Sequence, residues 1–213
     1  MTITKLGHCC LLIKEGGLTI LTDPGTYTTS QNDIVGIDMV LITHEHGDHF
    51  HIDSLKKILV NNPKAKVVTN SSVGKLLDPE NISYTVVDDG KELVVNDVVI
   101  SGKGTIHAEI HPSLPRVENT GYFINKKLYY PGDAFHDPGE PVDILALPVA
   151  GPWMKISEAL DFGAVVKPRI IFPVHDGMFN KLGGGFVSRI GKMFFEKAGI
   201  KYVALELGVP TDL

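Results

Sequence analysis

Residues 43–51 read THEHGDHFH, which places four of the chain's nine histidines and two acids within nine positions. Neutral imidazole is the commonest side-chain ligand for zinc and also suits iron and nickel. Two histidines at i and i+2, followed by Asp-His, can be splayed by a tight turn. His44 and His46 would then grip one ion, and Asp48 and His49 another. The Asp48 oxygen lowers the cost of holding two dications close together. A solvated polar loop is the bland alternative. The density of donors argues against it, as does their position just past a buried strand, where ligands commonly bind. His51 stands apart, at the start of a helix, as a surface or capping residue.

Four donors do not complete two metal sites, so the other strand-end residues matter. His107 follows the strand that begins at Val98, and His111 comes four residues later. Asp133 closes Tyr130-Pro131-Gly132-Asp133, and His175 lies in Phe172–Gly177, each just past a strand. Acids and histidines recurring at wide spacing after strands suggest loops converging on one edge of a β-structure. His8 sits in a short Gly-containing turn, and Asp23-Pro24 follows a strand. Trp153, the one tryptophan, reads equally as pocket wall or core filler. His136 reads as a solvent-exposed loop residue.

The elements that must hold these residues show in the hydrophobic pattern. Short strands are expected at Thr2–Leu6, Cys9–Lys14 and Leu18–Thr22, the last two joined by a Gly16-Gly17 hairpin turn. Asp38–Thr43 and Asp143–Val149 are continuous apolar runs, as in strands buried on both faces. Further strands are expected at 66–69, 84–87, 92–95, 98–101, 122–124, 128–130 and 170–172, with a last one at Tyr202–Leu207. Helices are expected from Ile52 to Asn61-Asn62-Pro63 and from a Ser157 cap to Val166. A C-terminal helix carrying Phe186, Ile190, Phe194 and Phe195 should pack on its own sheet. Each half runs through strands, a buried strand, a polar loop and a helix. That order fits one α/β domain spanning 1–213, two sheets packed face to face with helices outside.

Composition narrows the function classes. With 43% hydrophobic and 21% charged residues and a net charge of −5, the chain is an ordinary globular one with no basic footprint for nucleic acid or a membrane surface. No apolar run approaches the roughly 18 residues that span a bilayer, and the N-terminus does not read as a signal peptide. A cytoplasmic location is therefore expected. Cys9 and Cys10 are adjacent and read as small buried strand residues.

The quoted motifs resemble those of the metallo-β-lactamase-fold hydrolases, whose signature is His-x-His-x-Asp-His. The resemblance covers essentially the whole chain, with HAEIHPSLPRVENTGYFI, YYPGDAF and FPVHDG following in the expected order. LGHCCLLI and ILTDPGT look like the branch containing ascorbate-6-phosphate lactonase and many small hydrolases. The resemblance implies a four-layer αβ/βα sandwich. It places His44, His46 and one later histidine on a first ion, and Asp48, His49 and His175 on a second, with Asp133 bridging. His107 is the preferred later histidine, and His111 the alternative ligand or a substrate-binding residue. His8 and Asp23 would be pocket residues or would orient ligands. Two divalent ions are implied, zinc first, with manganese, iron or nickel compatible. The implied activity is hydrolysis of a small ester-like (lactone) or phosphodiester substrate, with Asp48 orienting the attacking water. A non-catalytic or di-iron redox protein on the same fold is the alternative. Oligomeric state is not legible.

Overall fold

The two apolar runs, Asp38–Thr43 and Asp143–Val149, lie inside two separate sheets. In a computed structural model describing residues 1–213, β1 (Thr2–Gly7), β2 (Cys10–Glu15) and β3 (Leu18–Thr22) form an antiparallel meander. Gly16 and Gly17 turn between β2 and β3 with φ of 55° and 78°, a backbone shape that favours glycine. β4 (Met39–Ile42), β5 (Lys66–Thr69) and β6 (Tyr84–Val86) then extend the sheet in parallel. Parallel neighbours need crossovers, which α1 (Ile52–Asn61) and α2 (Ser71–Leu77) supply.

The second sheet repeats the plan. β7 (Glu92–Val95), β8 (Val98–Lys103), β9 (Gly121–Ile124) and β10 (Leu128–Tyr130) pair antiparallel in turn. β11 (Ile144–Pro148), α3 (Ile156–Val166), β12 (Ile170–Val174), α4 (Lys181–Lys197) and β13 (Lys201–Tyr202) continue as parallel strands and crossing helices. β14 (Thr211–Asp212) crosses back and pairs antiparallel with β1, so each sheet has seven strands.

Three apolar layers hold these parts together. Between the sheets, Ile3, Leu11, Ile13 and Leu41 of the first meet Ile100, Tyr122, Tyr130 and Phe172 of the second. On the outer face of the first sheet, Leu55 and Ile58 of α1 and Val73 and Leu77 of α2 cover Val40, Ile42 and Val67. On the other side Ala159, Phe162 and Phe195 cover Leu145, Leu147 and Ile171. Each such aliphatic side chain, fully buried, contributes about 1.5–3 kcal/mol. β4 is buried along its whole length because the other sheet covers one face and helices the other. The result is the expected helix–sheet–sheet–helix stack.

The architecture has one consequence for chemistry. β1, β3, β4, β8, β10, β11 and β12 run in the same sense within their sheets. His8, Asp23, His44, His107, Asp133, Trp153 and His175 each follow the carboxyl end of one of these strands. One edge of the sandwich therefore gathers residues from the whole chain.

Some boundaries differ from the sequence expectation. α2 has no long periodic signal; Asn70 caps it through its side chain, which accepts from the Val73 amide at 3.0 Å. α3 begins at Ile156, one residue before the expected Ser157 cap, because the Glu158 carboxylate accepts from the Lys155 amide at 2.7 Å. The expected strand Tyr202–Leu207 stops at Tyr202, and the chain leaves for the first sheet. Of the Phe-rich stripe on α4, only Phe195 is fully buried, while Phe186 and Phe194 remain exposed.

The loop after β3 packs directly on the histidine loop, and Gly25 is the point of contact. A Cβ there would overlap the Asp48 carbonyl and crowd the His49 amide. Gly25→Ala should therefore destabilise the protein by about 1–3 kcal/mol, read as a lowered midpoint in urea denaturation with an unchanged slope.

Candidate metal centre

β4 delivers Thr43 and His44 to the edge, and the next residues turn sharply: the amides of His49 and Phe50 both donate to the His46 carbonyl, at 2.9 and 2.8 Å. That turn splays His44 and His46 from Asp48 and His49, as the i, i+2 spacing requires. His51 lies outside it, at the N-cap of α1, with Nδ1 3.0 Å from the Ser54 hydroxyl.

Of the seven histidine and aspartate residues expected to hold the ions, six come from three segments that converge on the seventh, Asp133. One donor atom from each of His44, His46 and His107 lies within 4.8 Å of the other two, and the same holds for His44, His49 and Asp133. Asp133 sits between the groups. Its Oδ1 is 3.2 Å from His49 Nε2, and its Oδ2 is 2.9 Å from His175 Nε2 and 3.4 Å from His107 Nε2. Asp48 Oδ2 is 3.5 Å from His175 Nε2 and 3.9 Å from His49 Nε2.

The rings are aimed by hydrogen bonds at their far nitrogens. His107 Nδ1 donates to the Ala108 carbonyl at 2.6 Å, His49 Nδ1 donates to Asp23 at 2.7 Å, and His44 Nδ1 is 3.0 Å from the Thr43 hydroxyl. Each ring therefore presents Nε2 to the common volume. His44, His49, His107 and His175 Nε2 and Asp133 Oδ1 are all buried with no hydrogen-bond partner. Unpaired buried polar atoms are rare and costly, and five of them facing one volume fit a site for cations. The chemistry fits too: imidazole and carboxylate donors, with the second nitrogens held by carbonyl, hydroxyl and carboxylate, are the usual surroundings of a transition metal.

Asp23 organises this wall. Fully buried, it accepts from His49 Nδ1, from the Thr43 amide and hydroxyl at 2.8 Å each, and from the Tyr130 hydroxyl at 2.6 Å. His8 is equally placed, with Nδ1 accepting from the Gly177 amide at 3.2 Å and Nε2 at 3.2 Å from Asp48 Oδ2. His8, Asp23 and His175 adopt φ of 49°, 38° and 59°. Non-glycine residues in that region are uncommon and gather at functional sites.

Trp153 proves to be a wall residue with a polar task, its indole N–H donating to Asp133 Oδ2 at 2.9 Å. Sequence reasoning missed Cys9, read as a small buried strand residue, whose sulfur joins His8, His49 and His175 in a group with donors within 4.8 Å of one another. Neither carries a local pattern that reveals it. His111 lies outside the donor cluster: it is exposed, bonded to the Ser113 hydroxyl at 2.8 Å, and His107 stands with His44 and His46 instead. His136 is not free in solvent, since its Nε2 meets the Ile106 carbonyl at 2.8 Å and pins the loop that carries His107.

The charges divide in two. Burial, followed by the charge of His49, holds His44 well below the ordinary histidine value, and burial does the same to His46 to a lesser degree. Burial also opposes charge on His49 and His175, but there the carboxylates win. Asp133 leads in raising His49 well above its ordinary value. A charged Cys9 sulfur, with Asp133 and Asp48, lifts His175 to about 10. Asp48 is depressed despite burial, by the nearby His175 and the hydrogen bond from His8, and Asp133 is depressed by the charge of His49 and the close approach of three histidines. In the metal-free protein, protons on His49 and His175 thus stand where cations would. The Cys9 thiol, which burial alone would raise, is brought to about 6 by the same histidines.

Over the cluster opens a cavity of about 360 Å³, lined by Tyr27, His46, Asp48, Ile110, Trp153 and Met178 among others. That volume suits a small ligand.

The chain is similar to known proteins along most of its length. The beta-lactamase superfamily domain matches residues 2–175. Protein Rv0786c of Mycobacterium tuberculosis is 38% identical over 184 residues, covering 84% of this chain and 85% of its own. A UPF0173 metal-dependent hydrolase of Nanoarchaeum equitans is 30% identical over 194 residues, covering 82% of this chain and 83% of its own. Among solved structures, Igni18, a metallo hydrolase of Ignicoccus hospitalis, superposes with a TM-score of 0.75 at 22% identity, covering 99% of this chain and 97% of that one.

Two outcomes are expected. Asp23→Asn must turn an amide N–H₂ toward one of four donors, and should weaken metal binding by about 10–100-fold in chelator competition. Second, His175 is raised from 6.5 to about 10 and His49 well above 6.5, while Cys9 falls from 9.0 to about 6. Between 6.5 and 9.0 the folded metal-free protein therefore holds two protons that the unfolded chain releases and gives up one that it keeps, a net gain of one. Its stability should fall as pH rises through that window, while apparent metal affinity rises. Denaturation and metal titration of chelator-treated protein at about pH 7 and about pH 9 read both signs.

Proposed function

The chain belongs to the metallo-β-lactamase superfamily, within the UPF0173 metal-dependent hydrolase family, and we propose that it is a dinuclear metal-dependent hydrolase of a small ester-like (lactone) or phosphodiester substrate. What carries this reading is the set of buried, unpartnered donor atoms meeting around Asp133. His44, His46 and His107 hold a first divalent ion, Asp48, His49 and His175 a second, and Asp133 lies between them. Bound ions of this kind supply a water ionised near neutral pH and polarise the oxygen under attack.

The chain's own residues do the rest. Asp48, one oxygen steadied by His8, orients the attacking water at the floor of the cavity. Asp23 fixes the His49 ring, and Trp153 fixes the carboxylate of Asp133. Tyr27, Ile110 and Met178 form walls that admit a small substrate and exclude bulk water from its reacting end. Zinc is the first choice of metal, with manganese, iron and nickel compatible with the nitrogen and oxygen donors.

The test is a panel of lactones, phosphodiesters and thioesters assayed with zinc, manganese, nickel and iron added in turn, beside metal analysis by mass spectrometry. About two equivalents of metal and turnover of a lactone or phosphodiester are expected. His46→Ala should abolish that turnover and leave the circular dichroism spectrum unchanged. Full activity of that variant in a metal-replete assay sinks the site assignment.

A further inference from the structure

The second half of the centre faces one more donor than the His-x-His-x-Asp-His pattern provides. Cys9 lies in the turn between β1 and β2, buried in the layer between the sheets. Its sulfur and one nitrogen each of His8, His49 and His175 lie within 4.8 Å of one another.

The hydrogen bonds tell which of these four are free. His8 is engaged at both nitrogens, by the Gly177 amide and by Asp48. His49 has given Nδ1 to Asp23, which leaves Nε2. Independently of the cysteine, His49 Nε2 and both ring nitrogens of His175 are buried and unpartnered. Sulfur and two orphaned imidazoles therefore lie together, and Asp48 Oδ2 stands beside those imidazoles, 3.5 Å from His175 Nε2 and 3.9 Å from His49 Nε2. A tetrahedral zinc with bonds of about 2.0–2.3 Å holds its donors about 3.3–3.7 Å apart, so shifts of about 1 Å bring the sulfur and the two histidine nitrogens to that spacing.

We propose that the Cys9 sulfur is a ligand of the second ion, beside Asp48, His49 and His175, and that it makes zinc the preferred metal there. This rests on the dinuclear reading above. The sulfur binds as the thiolate: its lone pair forms the metal bond, the proton that the thiolate has passed to the neighbouring His175 imidazole leaves to solvent, and no oxidation state changes. A soft thiolate favours zinc, whereas manganese favours oxygen donors. Cys10 supplies the control, because it points to the opposite side of the first sheet, into the layer beneath α1 and α2.

The experiment uses the full chain, stripped by a chelator and reloaded with cobalt(II). Wild type and Cys10→Ser should both show a near-ultraviolet sulfur-to-cobalt charge-transfer band, and Cys9→Ser should lose it. X-ray absorption of zinc-loaded wild type, which needs no variant to fold, should show one sulfur at about 2.3 Å per pair of zinc ions. Two bound cobalt ions without the band, or zinc without a sulfur neighbour, overturns the thiolate ligand and leaves the dinuclear centre standing. Failure of the wild type to take up any metal overturns both.

Discussion

Lone pairs buried together and aimed at one volume repel each other unless something positive sits among them. Around Asp133 that condition governs the protein. Four imidazole nitrogens and a carboxylate oxygen have no partner there, and each such group costs about 1–3 kcal/mol in isolation. In the metal-free state protons on His49 and His175 offset part of that cost. A divalent ion bound there would offset more, and its binding would add to folding stability by mass action. Stability and chemistry are therefore set by the same few atoms.

The rest of the fold answers this demand by making the site stiff. Asp23 takes hydrogen bonds from Thr43 and His49 of the first sheet's loop and from Tyr130 of the second sheet, tying the two sheets at the edge where they must not part. Asn119 does the same for Asp133, accepting from its amide at 2.9 Å and donating to the Pro131 carbonyl at 3.0 Å. Arg116 holds the His107 carbonyl through two N–H groups, at 2.9 and 2.7 Å. Removing any of these leaves the ligands in the sequence but frees their orientation, which is why such outer partners weigh nearly as much as the ligands.

What could be read beforehand follows from how local each signal is. His44, His46, Asp48 and His49 were legible because their donors lie on one turn after one apolar strand. The two buried strands and α1 were legible from hydrophobic period alone. His107 and His111 could not be separated, since both lie in an irregular loop and only the packing of that loop, pinned by His136 and Arg116, turns one inward. Trp153 and Cys9 belong to the site through contacts over 20 and 40 residues away in the chain, which no spacing rule encodes. The return of β14 to β1 was hidden for a similar reason: two residues of strand carry no period. Family likeness turned a dense cluster of donors into an expected metal centre, but a shared fold hosts many reactions and leaves the substrate to its own cavity.

The bond from Trp153 to Asp133 reaches beyond architecture. It joins the chain's one tryptophan to a carboxylate that lies between the two halves of the centre, with the indole ring 6.0 Å from His107 and 6.1 Å from His175. The excited state of an indole is sensitive to charge at its N–H. The bond thus makes the indole a built-in optical gauge: its ultraviolet emission should respond to the electrical state of one carboxylate, so that a cation entering the site would be read by light with no label attached.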